Sequence, residues 1–565
     1  MFSKKLLFWH DAGIFLIMAV LAGCGLVYEY LLSHQAGRVL GAIETAIYGI
    51  IGIMIVSMGI GSFLARKVKC PFTGFAWLEV LVALLGSSAV LIITAVFALA
   101  NLLPRLLGNT FGLPPDLLPS GGMIEWAEKA AKAGPYVIGA VLGILIGMEI
   151  PLIARVREAV YGEHLVHNAG SIYGIDYIGA GIGAALWVLF MLTLETSLSA
   201  ALTAGANIIM GLLFLIMFRQ RIGRRLLLVG GHLLAAALAL FIAVKGADLE
   251  ASMEDMLYQD KVIYSTNTKY QHLTITERFT DPAKAPVLTF FINGRTQFAS
   301  NDEHIYHSML VYPPLAASAR QEKILVIGGG DGLAVRDILR WNPKHVLVLD
   351  LDRDVVNLFT HPVEVNGRII NERLLDLNHR SFTDPRVEVR NGDAFLTVDD
   401  LLRSGEYFDA IIVDLPDPGH PDLNKLYSSR FYVKLKALLA GDGAMAVQST
   451  SPYHAKHAFL SIGKTVKHAG FLHVQQYHQN VPSFGEWGWT IATKNGSSPR
   501  VRIEALKELP IDDGWMTKGV MLAAFEFSRG YFDELDSIKV NRLGSLVAYQ
   551  YHQTDWEKEQ GIYRP

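Results

Sequence analysis

Cysteine is almost missing from this chain: two residues in 565, Cys24 and Cys70, both within the first 245 positions. That scarcity excludes a disulfide framework and a cysteine-ligated zinc site, and the later part of the chain, having none, says nothing about redox compartment. Charge is sparse as well. Charged residues make up 18% of the chain, the net charge is -3 and the mean hydropathy is +0.30. A general nucleic-acid binder, which needs a basic face for phosphates, is therefore disfavoured. The deficit of charge is concentrated in the first 245 residues, and the total length implies two or more domains.

Apolar runs fill that first part, at about residues 12–32, 43–65, 75–100, 135–154, 172–194, 197–218 and 226–244. Each approaches or exceeds the roughly 20 helical residues that cross a bilayer. The first has no cleavage-like break, so it reads as a retained helix and not a leader. Between the third and fourth runs, GLPPDLLPSGG is followed by IEWAEKAAKA, which reads as a short amphipathic helix on the membrane surface. Gly139, Gly143 and Gly147 share one helix face, and Gly179, Gly181 and Gly183 recur less regularly; both sets predict close helix packing. Glu29, Glu79, Glu149 and Asp176 lie within or at the edges of the runs. Acids there are costly and are candidates for handling cations, although Glu29 and Glu149 fall near run ends, where water or a partner such as Arg155 can reach them.

Lysine and arginine are distributed unevenly over the connecting segments. Lys4, Lys5, Arg66, Lys67, Lys69, Arg155, Arg157, Arg219, Arg221, Arg224 and Arg225 fall on one side, and Arg38, Arg105, Lys129 and Lys132 on the other. Positive charge marks the cytoplasmic side, so the N-terminus is expected inside and, after seven crossings, residues 246–565 outside; an eighth crossing or a half-span would reverse this and put them inside.

The stretch KILVIGGGDGLAVRDILRWNPKHVLVLDLD, 323–352, reads as strand, glycine loop, helix, strand. Gly328, Gly330 and their neighbours allow a tight turn and close approach to a ligand. The following helix turns its free N–H groups toward that ligand. Asp350 closes the second strand where a nucleotide-binding unit places an acid for ribose hydroxyls. Asp331, inside the loop, would repel a pyrophosphate, so a ligand with a cation near the loop fits better; S-adenosylmethionine or its decarboxylated form has one. Before this stretch, VIYSTN, HLTITER and VLTFFING with its Asn293-Gly294 turn predict a small antiparallel β unit. After it, RVEVR, FDAIIVD, a helix over about 428–439 and GAMAVQS alternate as in a parallel sheet covered by helices. Ligands of such sheets sit at the carboxyl ends of the strands, and Asp331, Asp350, Asp393, Asp414 and Asp417 collect at four successive ends.

The residues YQHL, INGRTQ, DEHIYHSM, VIGGGDG, LDLD, LNHRSFTDPRVEV, NGDAF, DLPDP, LYSSRFY and VPSFGEWGWTIA occur in that order over about 260–497. Together they resemble the polyamine aminopropyltransferases, the spermidine synthase family, and the apolar front half is similar to the membrane extension of some bacterial members. The resemblance implies a Rossmann-like, methyltransferase-type sheet. It implies decarboxylated S-adenosylmethionine as co-substrate, with no prosthetic group and no metal, since the sulfonium is already a good leaving group. Asp350 would hold the ribose and Asp393 the adenine amino group. Gln271, His307 and Asp331, with the loop glycines, would hold the rest of the donor. Asp414 and Tyr306 would act on the attacking amine, Asp414 as the general base, because an alkylammonium must lose a proton before its nitrogen attacks. Asp417, with Gln448 and Trp487, would bind the amine, putrescine or a relative.

The chain departs from the family pattern at several points. QSTSP, with Gln448 and Thr450, stands where members usually carry an acid; Ser308 replaces a glutamate, Asn293 an aspartate, and Asp350 a glutamate. An acceptor other than putrescine therefore stays open. So do a transferase using intact S-adenosylmethionine on a membrane amine or lipid, and a transporter or sensor that only binds a polyamine. The expected organisation is a transmembrane helical domain over 1–245, a small β unit over 246–300, a Rossmann-like transferase domain over 301–497 and a C-terminal extension over 498–565. The expected partners are a small amine and the lipid bilayer, with a homo-oligomer left open.

Overall fold

A computed structural model describes residues 4–40, 43–110, 122–162, 168–258, 260–281, 283–365 and 367–559. The chain divides into two compact units, Met1–Thr276 and Glu277–Pro565. The division passes through the β strands expected at 246–300.

The first unit is helical: α1 (Lys4–Leu40), α2 (Ile43–Leu64), α3 (Pro71–Thr110), α4 (Gly122–Gly147), α5 (Glu149–Tyr161), α6 (Asn168–Leu189), α7 (Thr196–Met217) and α8 (Arg225–Leu257). Among the described residues, seven helical stretches are long and apolar enough to cross a membrane, α4 and α5 counting as one. They match the seven apolar runs. Glycine decides how closely they pack. A β-carbon on Gly143 would stand 2.8 Å from the carbonyl oxygen of Met54 on α2, and one on Gly183 would stand 2.5 Å from that of Gly23 on α1. Gly181 meets nothing, because it lies on another face of α6.

Two expectations fail here. IEWAEKAAKA is no separate surface helix; it forms the first turns of α4 and runs on through Pro135. A proline that far from a helix start costs a hydrogen bond, but the long apolar stretch after it has more to gain by continuing. Most of GLPPDLLPSGG lies outside the described residues. Glu149 is buried, and Arg155 instead donates to the carbonyl of Ala65 at 3.0 Å. Past the helices, β1 (Lys261–Asn267) and β2 (His272–Arg278) are adjacent strands.

The second unit opens with the hairpin of β3 (Val287–Ile292) and β4 (Arg295–Ala299). Asn293 and Gly294 both take positive φ, 50° and 75°, as a two-residue hairpin turn requires. After α9 (Glu303–Ala317) the chain alternates strand and helix: β5 (Lys323–Gly328), α10 (Leu333–Leu339), β6 (His345–Asp350), α11 (Arg353–Leu358), a minor hairpin of β7 (Glu364–Val365) and β8 (Arg368–Ile369), α12 (Glu372–Leu377), β9 (Val387–Asn391), α13 (Ala394–Arg403), β10 (Phe408–Asp414), α14 (Ser429–Leu438), β11 (Leu439–Gln448) and α15 (Lys456–His468). The strands β12 (His473–Val481) and β13 (Gly485–Thr493) then lead into α16 (Pro499–Ala505), α17 (Lys518–Ala523) and α18 (Val547–Glu559).

The main sheet has the order β12-β13-β11-β10-β5-β6-β9. β11, β10, β5, β6 and β9 are parallel neighbours, while β13 is antiparallel to both β11 and β12. This is the Rossmann-like parallel sheet expected, with two antiparallel strands at one edge. Side chains alternate between two cores: Ile324 and Val326 pack on the α9 side, Leu325 and Ile327 against α13 and α14. From β5 the chain winds outward through β6 and β9, then returns to β10 on the other side. That reversal between β5 and β10 opens a crevice at the carboxyl ends of the strands.

Candidate active site

Register puts Gly328, the last residue of β5, beside Asp414, the last of β10, and puts Asp350 beside Asn391. Four strand ends thus present their acids to one crevice. Gly328 takes φ +81°, and a β-carbon there would run into the carbonyl oxygen of Asp414. One on Gly330 would lie 2.7 Å from Asp350 Oδ2. The glycines keep space around the carboxylates. Asp331 Oδ1 accepts from the N–H of Leu333 at 2.9 Å, and Asp350 Oδ1 from the N–H of Asp352 at 2.8 Å; the backbone of Gly330 also bonds the Asp350 carboxylate.

α9 packs against α10 and β10 and brings three more side chains. The Tyr306 hydroxyl donates to Asp414 Oδ1 at 2.8 Å. His307 Nδ1 donates to the Glu303 carbonyl at 2.8 Å and to Glu303 Oε2 at 2.9 Å, and its Nε2 points toward Asp331 Oδ2, 4.0 Å away. Glu303 is clamped in turn by Arg336, Nη1 to Oε1 at 2.7 Å and Nη2 to Oε2 at 3.1 Å, while Arg336 Nε bonds Asp337 at 2.9 Å. Glu303, His307, Arg336 and Asp337 are all buried, so their charges persist only because each has a partner.

The electrostatics follow from these contacts. Burial pushes Glu303 up, but the bonds from His307 and Arg336 outweigh it and hold the carboxyl at about 2. Burial pushes His307 down, yet Glu303, Asp331 and Asp414 more than reverse this and hold it at about 9. His307 is therefore an imidazolium facing two carboxylates. Burial, tempered by that imidazolium, raises Asp331 to about 6, and burial also raises Asp350 to about 6. Asp414 is raised too, by burial above all, against the opposing pull of His307 and Tyr306. Donor atoms of His307, Asp331 and Asp414 all lie within 4.8 Å of one another, a spacing that a metal ion could bridge.

Asp417 lies on the loop after β10. Gln448 Nε2, at the end of β11, reaches its Oδ1 at 3.2 Å and also the hydroxyl of Tyr427 at 2.8 Å. His552 Nε2 faces Asp417 Oδ2 at 3.1 Å. Burial would raise Asp417, but His552, Gln448 and the field of Arg295 prevail and hold it below the ordinary carboxylate value. Trp487, on β13, is half-buried with its ring 5.1 Å from that of Phe484, which in turn sits 5.8 Å from Tyr306. Its Nε1 is buried with no partner among the described residues.

Asp393 is more committed than the others. It caps α13, accepting from the N–H of Phe395 at 2.9 Å, and its second oxygen takes Lys425 Nζ at 2.6 Å. Gln271 belongs to the first unit, in the turn that Thr268 closes between β1 and β2. Several participants carried no sequence expectation. Glu303 and His307 stand four apart within DEHIYHSM, a spacing that puts both on one helix face, so that pair was legible. Arg336, Arg295 and His552 were not, because nothing local in the chain ties them to the acids they meet.

Residues 303–504 match the family model described as the spermine/spermidine synthase domain. The chain is 55% identical over 555 residues to the polyamine aminopropyltransferase of Shewanella oneidensis, covering 98% of this chain and 96% of that one. It is 34% identical over 505 residues to polyamine aminopropyltransferase 1 of Streptomyces coelicolor, with 87% and 86% covered. A solved structure of spermidine synthase in complex with the transition state analogue AdoDATO superposes with a TM-score of 0.42 at 24% identity, over 49% of this chain and 88% of that chain. At 55% identity over nearly the whole of both chains, with the matched domain enclosing the crevice and its acids, the chain belongs to the polyamine aminopropyltransferase family and is a transferase.

Proposed function

We propose that this chain moves the aminopropyl group of decarboxylated S-adenosylmethionine to an amine such as putrescine, with methylthioadenosine as the second product. The observation that carries the residue roles is the separation of two neighbouring carboxylates: Asp414 is raised and Asp417 is lowered. Environments that push two acids apart divide their labour. Asp414 takes a proton from the attacking ammonium, and Asp417 stays ionised to hold the far one. The freed nitrogen attacks the carbon beside the sulfonium. A C–N bond forms, the C–S bond breaks, and its electron pair neutralises the sulfur as methylthioadenosine leaves.

Tyr306 orients Asp414 through its hydroxyl. Asp331 faces the aminopropyl ammonium of the donor, Asp350 the ribose, and Asp393 the adenine amino group. His307 completes the donor site, and Gln448 and Trp487 the amine site. Holding two substrates in line is the larger task, and effective molarity supplies about 7 kcal/mol or more of the barrier. The experiment is to incubate the purified protein with decarboxylated or intact S-adenosylmethionine and a panel of amines, following products by mass spectrometry. Methylthioadenosine and an aminopropyl adduct are expected with the decarboxylated donor alone. Turnover only with the intact donor overturns the reading, and saturable amine binding without any adduct makes the protein a binder.

The first unit is read as embedded in a bilayer. Large apolar side chains such as Ile209, Leu233 and Val244 lie exposed along its helices, and lipid is the solvent that suits them. The uneven lysine and arginine distribution places the N-terminus in the cytoplasm and the second unit outside. A reporter active only outside the cytoplasm, fused after Pro565, is expected to be active; a silent, well-expressed fusion overturns this topology.

A further inference from the structure

The extension beyond residue 497 had no reading in the sequence, yet it reaches the amine half of the site. Both oxygens of Asp417 have neighbours: Gln448 Nε2 at 3.2 Å on one side and His552 Nε2 at 3.1 Å on the other. His552 stands on α18 and is only 4% exposed. One turn further along α18, the indole Nε1 of Trp556 also lies 3.1 Å from His552 Nε2. An indole N–H only donates and an ionised carboxylate only accepts, so one ring nitrogen cannot serve both. With a proton on Nε2 the bond to Asp417 forms and Trp556 loses its acceptor. Without it Trp556 is satisfied, and Asp417 Oδ2 faces a lone pair. The bond to the carboxylate is charge-assisted and the stronger of the two, so Nε2 carries the proton and donates to Asp417 Oδ2.

The same segment grips the loop that carries Asp417. Asn541 Nδ2 donates to the carbonyl of Asn424 at 3.0 Å, the N–H of Tyr549 reaches Asn424 Oδ1 at 3.4 Å, and Asn424 Nδ2 donates to the carbonyl of Ser545. We infer that the C-terminal helix is a wall of the acceptor site: His552 is a positioning residue that seats Asp417 for the far ammonium of a short diamine, and with Trp556 it closes the space beyond, excluding longer polyamines. Asp417 takes the ammonium between Gln448 and His552. A triamine reaching past that point meets the imidazole and the indole.

This inference rests on Asp417 as the anchor of the amine. The test is steady-state kinetics of the full-length protein with decarboxylated donor, comparing a diamine with a triamine. His552→Ala is expected to raise KM for the diamine by about tenfold, the effect of losing a hydrogen bond to a charged group, with kcat and donor affinity little changed. It should also shift the ratio of kcat/KM toward the triamine by about tenfold. His552→Gln, which keeps an N–H in reach of Asp417, should restore the diamine KM. An unchanged KM and unchanged ratio in His552→Ala overturn the inference, as does a parallel loss of donor affinity, which marks general damage. If His552→Ala does not fold, Trp556→Ala serves: it opens the space beyond Asp417, so the ratio of kcat/KM should shift toward the triamine while donor affinity holds, and an unchanged ratio overturns the inference. Asp417→Asn separates the two levels. If it leaves the diamine KM unchanged, the anchor reading itself falls; if it raises KM and His552→Ala does not, only the role of α18 falls.

Discussion

The two units bury acids in opposite ways. In the second, Glu303 is enclosed by two donors of Arg336 and one of His307, so every charge on it is answered. In the first, Glu79 is just as buried, but only one oxygen is engaged, by Asn207 Nδ2 at 2.6 Å. Its other oxygen, Asn207 Oδ1 and both ring nitrogens of His232 have no partner among the described residues. Glycine is also used in two ways. In the helical unit Gly143 and Gly183 let backbones touch; in the catalytic unit Gly328 and Gly330 keep neighbouring chain off the carboxylates. The contrast teaches what each unit demands: full satisfaction fixes a site to fractions of an ångström, while helix packing asks mainly for shape.

That comparison can be broken by experiment. The largest effect is expected at the reacting pair. Asp414→Asn should lower turnover by at least about a hundredfold, the low end for general base catalysis, with nucleoside binding retained. Unaltered turnover would remove Asp414 from the mechanism. Next, Asp350→Ala should weaken nucleoside binding by about 2 kcal/mol, as expected for a lost bond to a charged group, measured by calorimetry. The same titration has a pH arm. Asp331 and Asp350 stand at about 6, and their ionised forms accept more strongly from hydroxyls and ammonium, so nucleoside affinity should fall as pH drops through about 6 and level off above it. A flat profile from pH 5 to 8 would contradict those roles.

The helical unit should respond in stability and not in chemistry. Gly183→Val, which drives a side chain onto the carbonyl of Gly23, should cost about 1–3 kcal/mol by overpacking, seen as a lower unfolding midpoint in detergent. Its KM for either substrate should not move. The smallest effect is expected at Glu79. Glu79→Gln keeps the shape and replaces an acid that lacks full pairing, so stability should stay within about 1 kcal/mol or rise, with turnover unchanged. A strong destabilisation would show that the first unit depends on its acid as the second depends on Glu303.

Much of this architecture was written locally. Apolar runs of helical length announced the seven long apolar helical stretches among the described residues, and short β-branched runs ending in acids announced the strands. A parallel sheet aligns its carboxyl ends, so Asp331, Asp350 and Asp414 could be assigned to one crevice from chain order alone. The two misreadings in the helical unit, the surface helix before α4 and an Arg155 partner for Glu149, arose where a local pattern competed with packing it could not see. Separate periodicities on either side of Pro135 do not reveal that one helix spans both.

What the sequence determined by itself was the kind and order of elements, the glycine loop and the family of its acids, because each depends on spacing within a few residues. What the tertiary structure alone decided was which charges answer one another. Arg336 lies 33 residues from Glu303, and His552 lies 135 residues from Asp417. Those meetings set whether a carboxyl is held down as Glu303 and Asp417 are, or up as Asp331 and Asp414 are. An ionisable group's behaviour is fixed by the fields and hydrogen bonds within a few ångströms, and only the folded chain brings those partners together.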